Sequence, residues 1–390
     1  MSLSNVTLTA AVRQNLLSLQ GTADLLAQTQ TRLATGKKVN SALDNPTNFF
    51  TAAGLDARAS DISNLLDSIG NGVQVLQAAN TGITSLSSLV DTAKSIANQV
   101  LQQPVGYSAK SSTTSTALGA TATSANLVDG TTIKGGETLS FAAATGLPAV
   151  TVTFGATESL GQLNTALAAG NLTATLNASN QLVITTTNDA ASSTIGAVTV
   201  GGTAGTATFG APTTPTPDAV SQATRASLVT QYNQIITQIT TTAQDSSFNG
   251  INLLNGDSLK LVFDETGKSS TTITGVTFNP AGLGLNALTA GTDFLDNASA
   301  NSVLTALNTA SVTLRSQASA FGANLSIVQI RQDFNKNLIN VLQTGSSNLT
   351  LADSNEEAAN SQALSTRQSI ATSALALANQ SQQNVLQLLR

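Results

Sequence analysis

The chain has 390 residues, enough for two or three domains and at least one sizeable core. Its formal net charge is −5 with only 9% charged residues, and its sixteen Lys and Arg are scattered, which excludes the clustered cations that phosphate backbones require. His, Cys and Trp are absent, so His-based triads, Cys/His zinc sites, disulfides and thiol catalysis are excluded.

Ordinary soluble domains carry about a quarter charged residues. Here Ser, Thr, Asn and Gln supply the polarity. Neutral amides and hydroxyls can pack against copies of themselves without like-charge repulsion, which suits a polymer; simple compositional bias is the other reading. The first twenty residues hold neither an early basic cluster nor a long apolar run, so no cleaved secretory signal is visible. No run of about eighteen apolar residues exists, so no membrane insertion is expected.

Taken in order, residues 1–35 carry a helical seam: Leu16, Leu19, Ala23, Leu26, Gln30 and Leu33 follow the 3-4-3-4-3 spacing of a helix that pairs with another helix. Gly36 is a plausible helix stop. Residues 36–50, with Pro46 after Asn45, read as a turn-rich interruption. From about Leu55 to Gln103 one face is apolar again, through Ile62, Leu66, Ile69, Val73, Leu76, Ile83, Val90, Ala97 and Val100.

At Pro104 the composition shifts. Residues 105–217 are rich in Thr, Ala, Gly and Ser and contain a β-α-β-β pattern: strands at 137–142 and 149–154, a short helix at 159–169, and strands at 172–176 and 181–186 joined by a hairpin signal. Pro212, Pro215 and Pro217 read as a stiff closing linker. Asp218 is a good N-cap for an amphipathic helix to Ala243, with Leu228, Tyr232, Ile235 and Ile239 on one face. Residues 246–256 contain two Asn-Gly turns, and 258–263 with 271–278 read as a hairpin. A heptad row returns in Leu307, Leu314, Phe321, Val328 and Leu342, with a break near Gly345–Ser347. The last helix repeats Leu364, Ala371, Ala378 and Val385 every seven residues, with Leu375, Gln382 and Leu389 in a second row. Both ends of the chain are therefore seam-bearing helices with no local partner, and pairing them with each other is the economical solution. The expected fold is mainly α with a β-rich insert: a long antiparallel coiled coil or bundle of N- and C-terminal segments, a β-hairpin, and an inserted α+β domain.

Particular residues resemble bacterial flagellin. RLATGKKVNSALDNP (Arg32–Pro46) is similar to that family's N-terminal motif, through Gly36, Lys37, Asn40, Asp44 and Pro46. The similarity continues through residues 70–86. FNGINLLNG resembles the loop after the family's third long helix, through Phe248, Asn249 and Gly250. ANQSQQNVLQLLR, ending in Arg390, is similar to the family's C-terminus. The resemblance covers about residues 1–104 and 219–390. It implies a subunit of the extracellular flagellar filament, with an inner-tube coiled coil from 1–40 and 350–390, an outer-tube helical domain from 41–104 and 218–349, and a solvent-facing variable domain at 105–217. The implied partners are further copies of the chain, an export chaperone, the type III export apparatus, and the cap and hook-associated proteins. Secretion would need no cleaved signal, and neither cofactor nor enzymatic activity is expected. The four acidic residues of the insert, Asp129, Glu137, Glu158 and Asp189, are too sparse to suggest a site. A hook–filament junction protein and a filament subunit with an adhesive insert are the alternatives. The family's receptor-recognition patch falls on Leu89, Val90, Asp91 and Ser95; an anion there in place of the family's Arg implies weak activation of the animal flagellin receptor.

Overall fold

The structure, a computed structural model, describes residues 10–202 and 205–388. In chain order the elements are α1 (Ala10–Thr35), α2 (Pro46–Gln102), β1 (Tyr107–Ala109), β2 (Ser112–Ala117), β3 (Thr138–Phe141), β4 (Val150–Thr153), α3 (Leu160–Leu167), β5 (Leu172–Leu176), β6 (Gln181–Thr186), β7 (Val198–Gly201), β8 (Thr216–Pro217), α4 (Ala219–Asp245), β9 (Ser258–Val262), β10 (Ser270–Thr274), α5 (Asn297–Thr350) and α6 (Ser354–Leu388). The chain divides into two compact units. Among the described residues the first holds 10–71, 261–271 and 327–388, and the second holds 72–202, 205–260 and 272–326. No helix among the described residues is long and apolar enough to cross a membrane.

In the first unit α1 and α6 pack along each other. The end of α1 meets the start of α6 through Arg32 and Glu357, so the two run antiparallel. A small core gathers Ala59 and Ile62 of α2 and Leu342 of α5, flanked by Leu55, Leu338 and Ile339. The hairpin tip is fixed to the same helices. Asn335, buried in the α5 seam, donates to the Phe263 carbonyl at 3.0 Å. The Arg331 guanidinium lies 5.8 Å from the Phe263 ring centroid, and Arg58 pairs with Glu265 at 2.6 Å.

Two helix boundaries differ from the sequence reading. Helix α2 begins at Pro46 rather than near Leu55, because Asn45 caps it: its side chain accepts from Asn48 N at 3.0 Å, and proline suits the first helical position, where its missing N–H is not needed. Helix α5 runs through Gly345 to Thr350, and the break falls at 351–353. Asp353 starts α6 by accepting from the N–H groups of Asn355 and Glu356. Gly345 stays helical where the backbone lies close to Leu55, so packing overrides the weak local propensity.

In the second unit the heptad residues Ile83, Val90, Ala97 and Val100 of α2 and Leu307, Leu314 and Phe321 of α5 are buried. Asp218 caps α4 as expected, accepting from Ser221 N. On α4, Ile236 rather than Ile235 joins Ile239 on the buried face. A residue that periodicity cannot reveal sits here. The buried Arg225 guanidinium donates to the carbonyls of Val100, Gln103, Pro104 and Phe294, at 3.0, 2.9, 2.7 and 2.6 Å, and to Asn297 Oδ1 at 3.3 Å. It gathers the carbonyls around the end of α2, of which that of Val100 also accepts from Gln103 N. Burial lowers its pKa and the nearby Asp296 opposes that shift.

The insert has its own core, drawn from residues 118–209. Strands β3, β4, β5 and β6 and helix α3 match the expected pattern to within a residue or two. The sequence reading missed β2, β7 and the short β1–β8 ribbon. The sheets are antiparallel, ordered β2-β6-β5 and β4-β3-β7. Strand β2 (STTSTA) has no apolar alternation to read, because hydroxyls replace its inward side chains. Thr113 Oγ1 donates to Gly210 O at 2.7 Å, and Ser115 Oγ accepts from Leu182 N at 2.9 Å. The proline-rich closing segment is not only a linker: Pro217 lies opposite Tyr107 in the ribbon at the base of the insert.

Asp129 knots the loop after β2. Burial pushes its carboxyl pKa up, but N–H donors from Thr131, Gly119, Ile133 and Thr132 outweigh that and hold it at about 2. The depressed value makes this a stabilising term that is complete above the unfolded value of 3.8 and lost as pH falls from there towards about 2. The insert's thermal unfolding, followed by calorimetry, should therefore drop across that window. Asp129→Asn should flatten the dependence while lowering the transition at neutral pH; an unchanged pH profile in the variant would remove this role.

Candidate assembly surface

Leu16, Leu19, Leu26, Leu364, Ala371, Leu375 and Ala378 are half-buried on α1 and α6. On α6 the inward positions are Glu357, Ser361, Leu364, Gln368, Ala371, Leu375 and Ala378, an unbroken 4-3 repeat. On α1 they are Val12, Asn15, Leu16, Leu19, Thr22, Ala23, Leu26, Thr29 and Arg32. Apart from Val12, Thr29 and Glu357, these residues are only half-buried, as expected when a seam has a single neighbouring helix. Gln30 and Leu33, the expected continuation, are exposed. Leu389 and Arg390, and the side chain of Val385, lie outside the described residues.

The motif around residues 36–46 resolves into turn chemistry. Gly36 has φ of 68°, a left-handed stop that residues with a Cβ resist. Its carbonyl accepts from Ala352 N at 3.0 Å, while Lys38 N and Val39 N donate to Thr350 O at 2.7 and 3.3 Å. Lys37 bridges to Leu351. The Asn40 amide donates to Lys37 O at 2.8 Å. Asp44 accepts from the backbone of Ser41 and Asn40, which lowers its pKa. Gly36, Lys37, Asn40, Asp44 and Pro46 thus form one device that turns the chain from α1 into α2 and pins it where α5 ends and α6 begins.

The second motif is also a turn, with a residue the sequence reading passed over. Asn249 and Gly250 both take positive φ, 50° and 80°, in a tight turn closed by Phe248 and Ile251. Asn252 is the anchoring residue. Its buried amide donates to Ala243 O and Gln244 O, each at 2.8 Å, and its oxygen accepts from Leu254 N. It closes the C-terminus of α4. An Asn next to an Asn-Gly turn, just past a helix end, was the available signal.

On the 89–95 stretch, Val90 is fully buried and belongs to the core row of α2, which corrects its assignment to an exposed patch. Leu89 is half-buried. Asp91 and Ser95 are exposed, and Asp91 pairs with Lys94 at 3.5 Å.

Large exposed apolar side chains are unevenly distributed. Among the described residues only Val200, Val220, Phe248 and Val312 belong to the second unit. The first unit exposes Leu17, Leu25 and Leu33 on α1, Ile370 and Leu377 on α6, Leu43 and Phe50 near the start of α2, and Leu351. It also exposes Ile327, Ile330, Phe334 and Val341 on α5. These four follow a helical 3-4-7 spacing, a second stripe beside the buried row of Val328, Asn335 and Leu342.

Residues 6–140 match the bacterial flagellin N-terminal helical region, and residues 304–389 match the bacterial flagellin C-terminal helical region. The chain is 32% identical over 164 residues to the flagellin FljM of Caulobacter vibrioides, covering 42% of this chain and 59% of that one. It is 30% identical over 172 residues to FljO of the same organism, covering 44% and 62%, and 30% identical over 164 residues to FljK, covering 42% and 59%. The chain thus spans about three-fifths of the length of the curated relatives it matches.

The left-handed stop at Gly36 predicts a graded response. Gly36→Val should destabilise the full chain by about 1–2 kcal/mol, and Gly36→Asn by clearly less, since Asn tolerates that backbone region. Denaturant midpoints at equal slope check this, and equal losses in both variants would refute it.

Proposed function

We propose, for a chain that belongs to the bacterial flagellin family, that it polymerises into the extracellular flagellar filament that drives swimming. The observation that carries this reading is the crowding of exposed apolar side chains onto the helices of the first unit. Monomeric proteins rarely leave contiguous apolar patches exposed, and such patches commonly mark interaction surfaces. Here they sit on α1, α5 and α6, whose inward faces are already committed. A second copy of the chain can cover them. Burial of apolar surface then drives association, and repetition of one subunit contact along a filament sums many weak interfaces. The scarcity of charge reduces repulsion between copies.

In this reading residues 1–40 and 350–390 form the inner tube, 41–104 and 218–349 the outer tube, and 105–217 a solvent-facing variable domain. The chain would leave the cell through the type III export apparatus, without a cleaved signal, accompanied by an export chaperone, and assemble beneath a filament cap above the hook-associated proteins. The family's role is structural, and the proposed work of the chain is mechanical.

Assembly provides the test. Ile330→Asp and Phe334→Asp should raise the concentration needed for polymerisation by at least about tenfold, measured by sedimentation, while leaving monomer unfolding nearly unchanged. Val312→Asp, on the second unit, should behave as wild type. Removing 105–217 should leave polymerisation intact. Normal assembly by both stripe variants would sink the reading.

A second expectation concerns recognition by the animal receptor. With Val90 buried, and the exposed Asp91 already paired to Lys94, the patch offers no unpaired cation. A receptor reporter assay should give weak or absent signalling, and strong activation at nanomolar protein would contradict this.

A further inference from the structure

The sequence contains three Asn-Gly pairs, Asn71–Gly72, Asn249–Gly250 and Asn255–Gly256. An asparagine followed by glycine can react with its own backbone. The next main-chain nitrogen attacks the side-chain carbonyl carbon and a cyclic imide forms. Glycine leaves that approach open because it has no Cβ. The attack needs an amide nitrogen free of its own hydrogen bond, in a chain able to leave its folded dihedrals. All three pairs offer the same chemistry, so their surroundings decide between them.

Asn71 lies inside α2, where backbone N–H groups are committed to the helix, and Gly72 is buried. Asn255 and Gly256 are both exposed, so dipeptide and accessibility alone would select them. Their backbone is held, however. Gly256 N donates to Val276 O at 3.1 Å, and Asn255 N donates to Asn252 O at 3.1 Å. Thr277 Oγ1 stands 3.2 Å from the place where a side chain on Gly256 would begin. Asn249 and Gly250 are exposed too, and differ on each of the other counts. Among the described residues neither Gly250 N nor the Asn249 side chain has a hydrogen-bond partner. Nothing lies within 4 Å of the corresponding position on Gly250. The bonds between Phe248 and Ile251, each of 3.0 Å, close the turn. Within it Asn249 holds a φ of 50°, a region that residues other than glycine occupy at a cost.

We propose that Asn249 is a site of spontaneous covalent modification, at which Gly250 N displaces the side-chain amide nitrogen and water then opens the ring. The bond from Gly250 N to Asn249 Cγ forms as the bond from Cγ to Nδ2 breaks. Ammonia leaves with the proton that Gly250 N gives up. Water opens the imide at either carbonyl. Opening at the side-chain carbonyl restores the original backbone and leaves aspartate. Opening at the main-chain carbonyl leaves isoaspartate, in which the backbone runs through the side-chain carbons and is longer by one methylene. Both products place a carboxylate beside Phe248, an exposed apolar side chain. The longer one also takes Phe248 and Ile251 out of register, directly before Asn252, which closes the end of α4.

The test uses the full-length chain, held at mildly alkaline pH while its peptides are followed over time by mass spectrometry. In the folded chain Asn249 should convert at least about fivefold faster than Asn255, whose neighbour must first give up a hydrogen bond, and faster again than Asn71. Electron-transfer fragmentation should find isoaspartate as well as aspartate at position 249. In denaturant the rates at the three pairs should converge to within about threefold, because only the shared dipeptide then remains. A folded-state rate at Asn249 no greater than that at Asn255 would overturn the proposal. So would an advantage of Asn249 that persists in denaturant. Conversion to aspartate without isoaspartate would mean direct hydrolysis and would overturn it too.

Discussion

The two outermost helices have no partner in their own neighbourhoods and must find each other across the whole sequence. That requirement governs the first unit. Helices α1 and α6 can meet only if the chain doubles back and the ends of the intervening segment are held together. The backbone bonds from Gly36, Lys38 and Val39 to residues 350–352 do this. They join the exit of α1 to the junction of α5 and α6, so both seams start from a common origin. A turn of this kind cannot be made by residues that resist positive φ, which is why glycine stands at position 36. The motif that looks like a family signature is, at the level of atoms, a solution to chain closure.

A chain this poor in charge must satisfy its polar groups in other ways, and its helices show how. Threonine and serine hydroxyls donate back to the carbonyl four residues earlier, as at Thr84, Ser88 and Thr92 on α2 and Thr305, Thr309 and Thr313 on α5. Such bonds slightly weaken helix propensity, yet they leave a surface whose polar atoms are partly spoken for. A surface of that kind loses less on desolvation than one of lysines and glutamates. The same economy appears in the insert, where hydroxyls of β2 replace apolar side chains in the core.

Periodicity carried the reading of the long helices and of β3, β4, β5 and β6, because their inward residues are apolar and evenly spaced. It failed wherever a polar group does structural work. Strand β2 is built from Ser and Thr, and nothing in its pattern distinguishes it from a loop. Arg225 looks like a solvated residue until four carbonyls converge on it. The break before α6 was placed at Gly345, where glycine punctuates the sequence, but contact with Leu55 keeps the helix going and Asp353 makes the actual start. Val90 was read both as a seam residue and as part of a surface patch. It cannot be both, and a period of seven should have decided for the core. On the assembly surface, the seam positions were legible but the outer stripe of α5 was not. Its residues, Ile327, Ile330, Phe334 and Val341, interleave with the buried row, and sequence alone does not say which of two adjacent stripes is inward.

Each of the long seams in the first unit admits a polar residue, and the manner of its satisfaction differs. On α5 the row of Val328 and Leu342 is interrupted by Asn335, whose amide donates to Phe263 O. That residue is paired, and it fixes the hairpin tip against α5 in one position. On α6 the row is opened by Glu357, which meets Arg32 but leaves one atom of each side chain unpartnered. A polar group in an apolar seam lowers stability and narrows the choice of register. When all its bonds are made the choice is firm. When some are missing, desolvation gives back part of what the pairing gains, as at the meeting of Arg32 with Glu357.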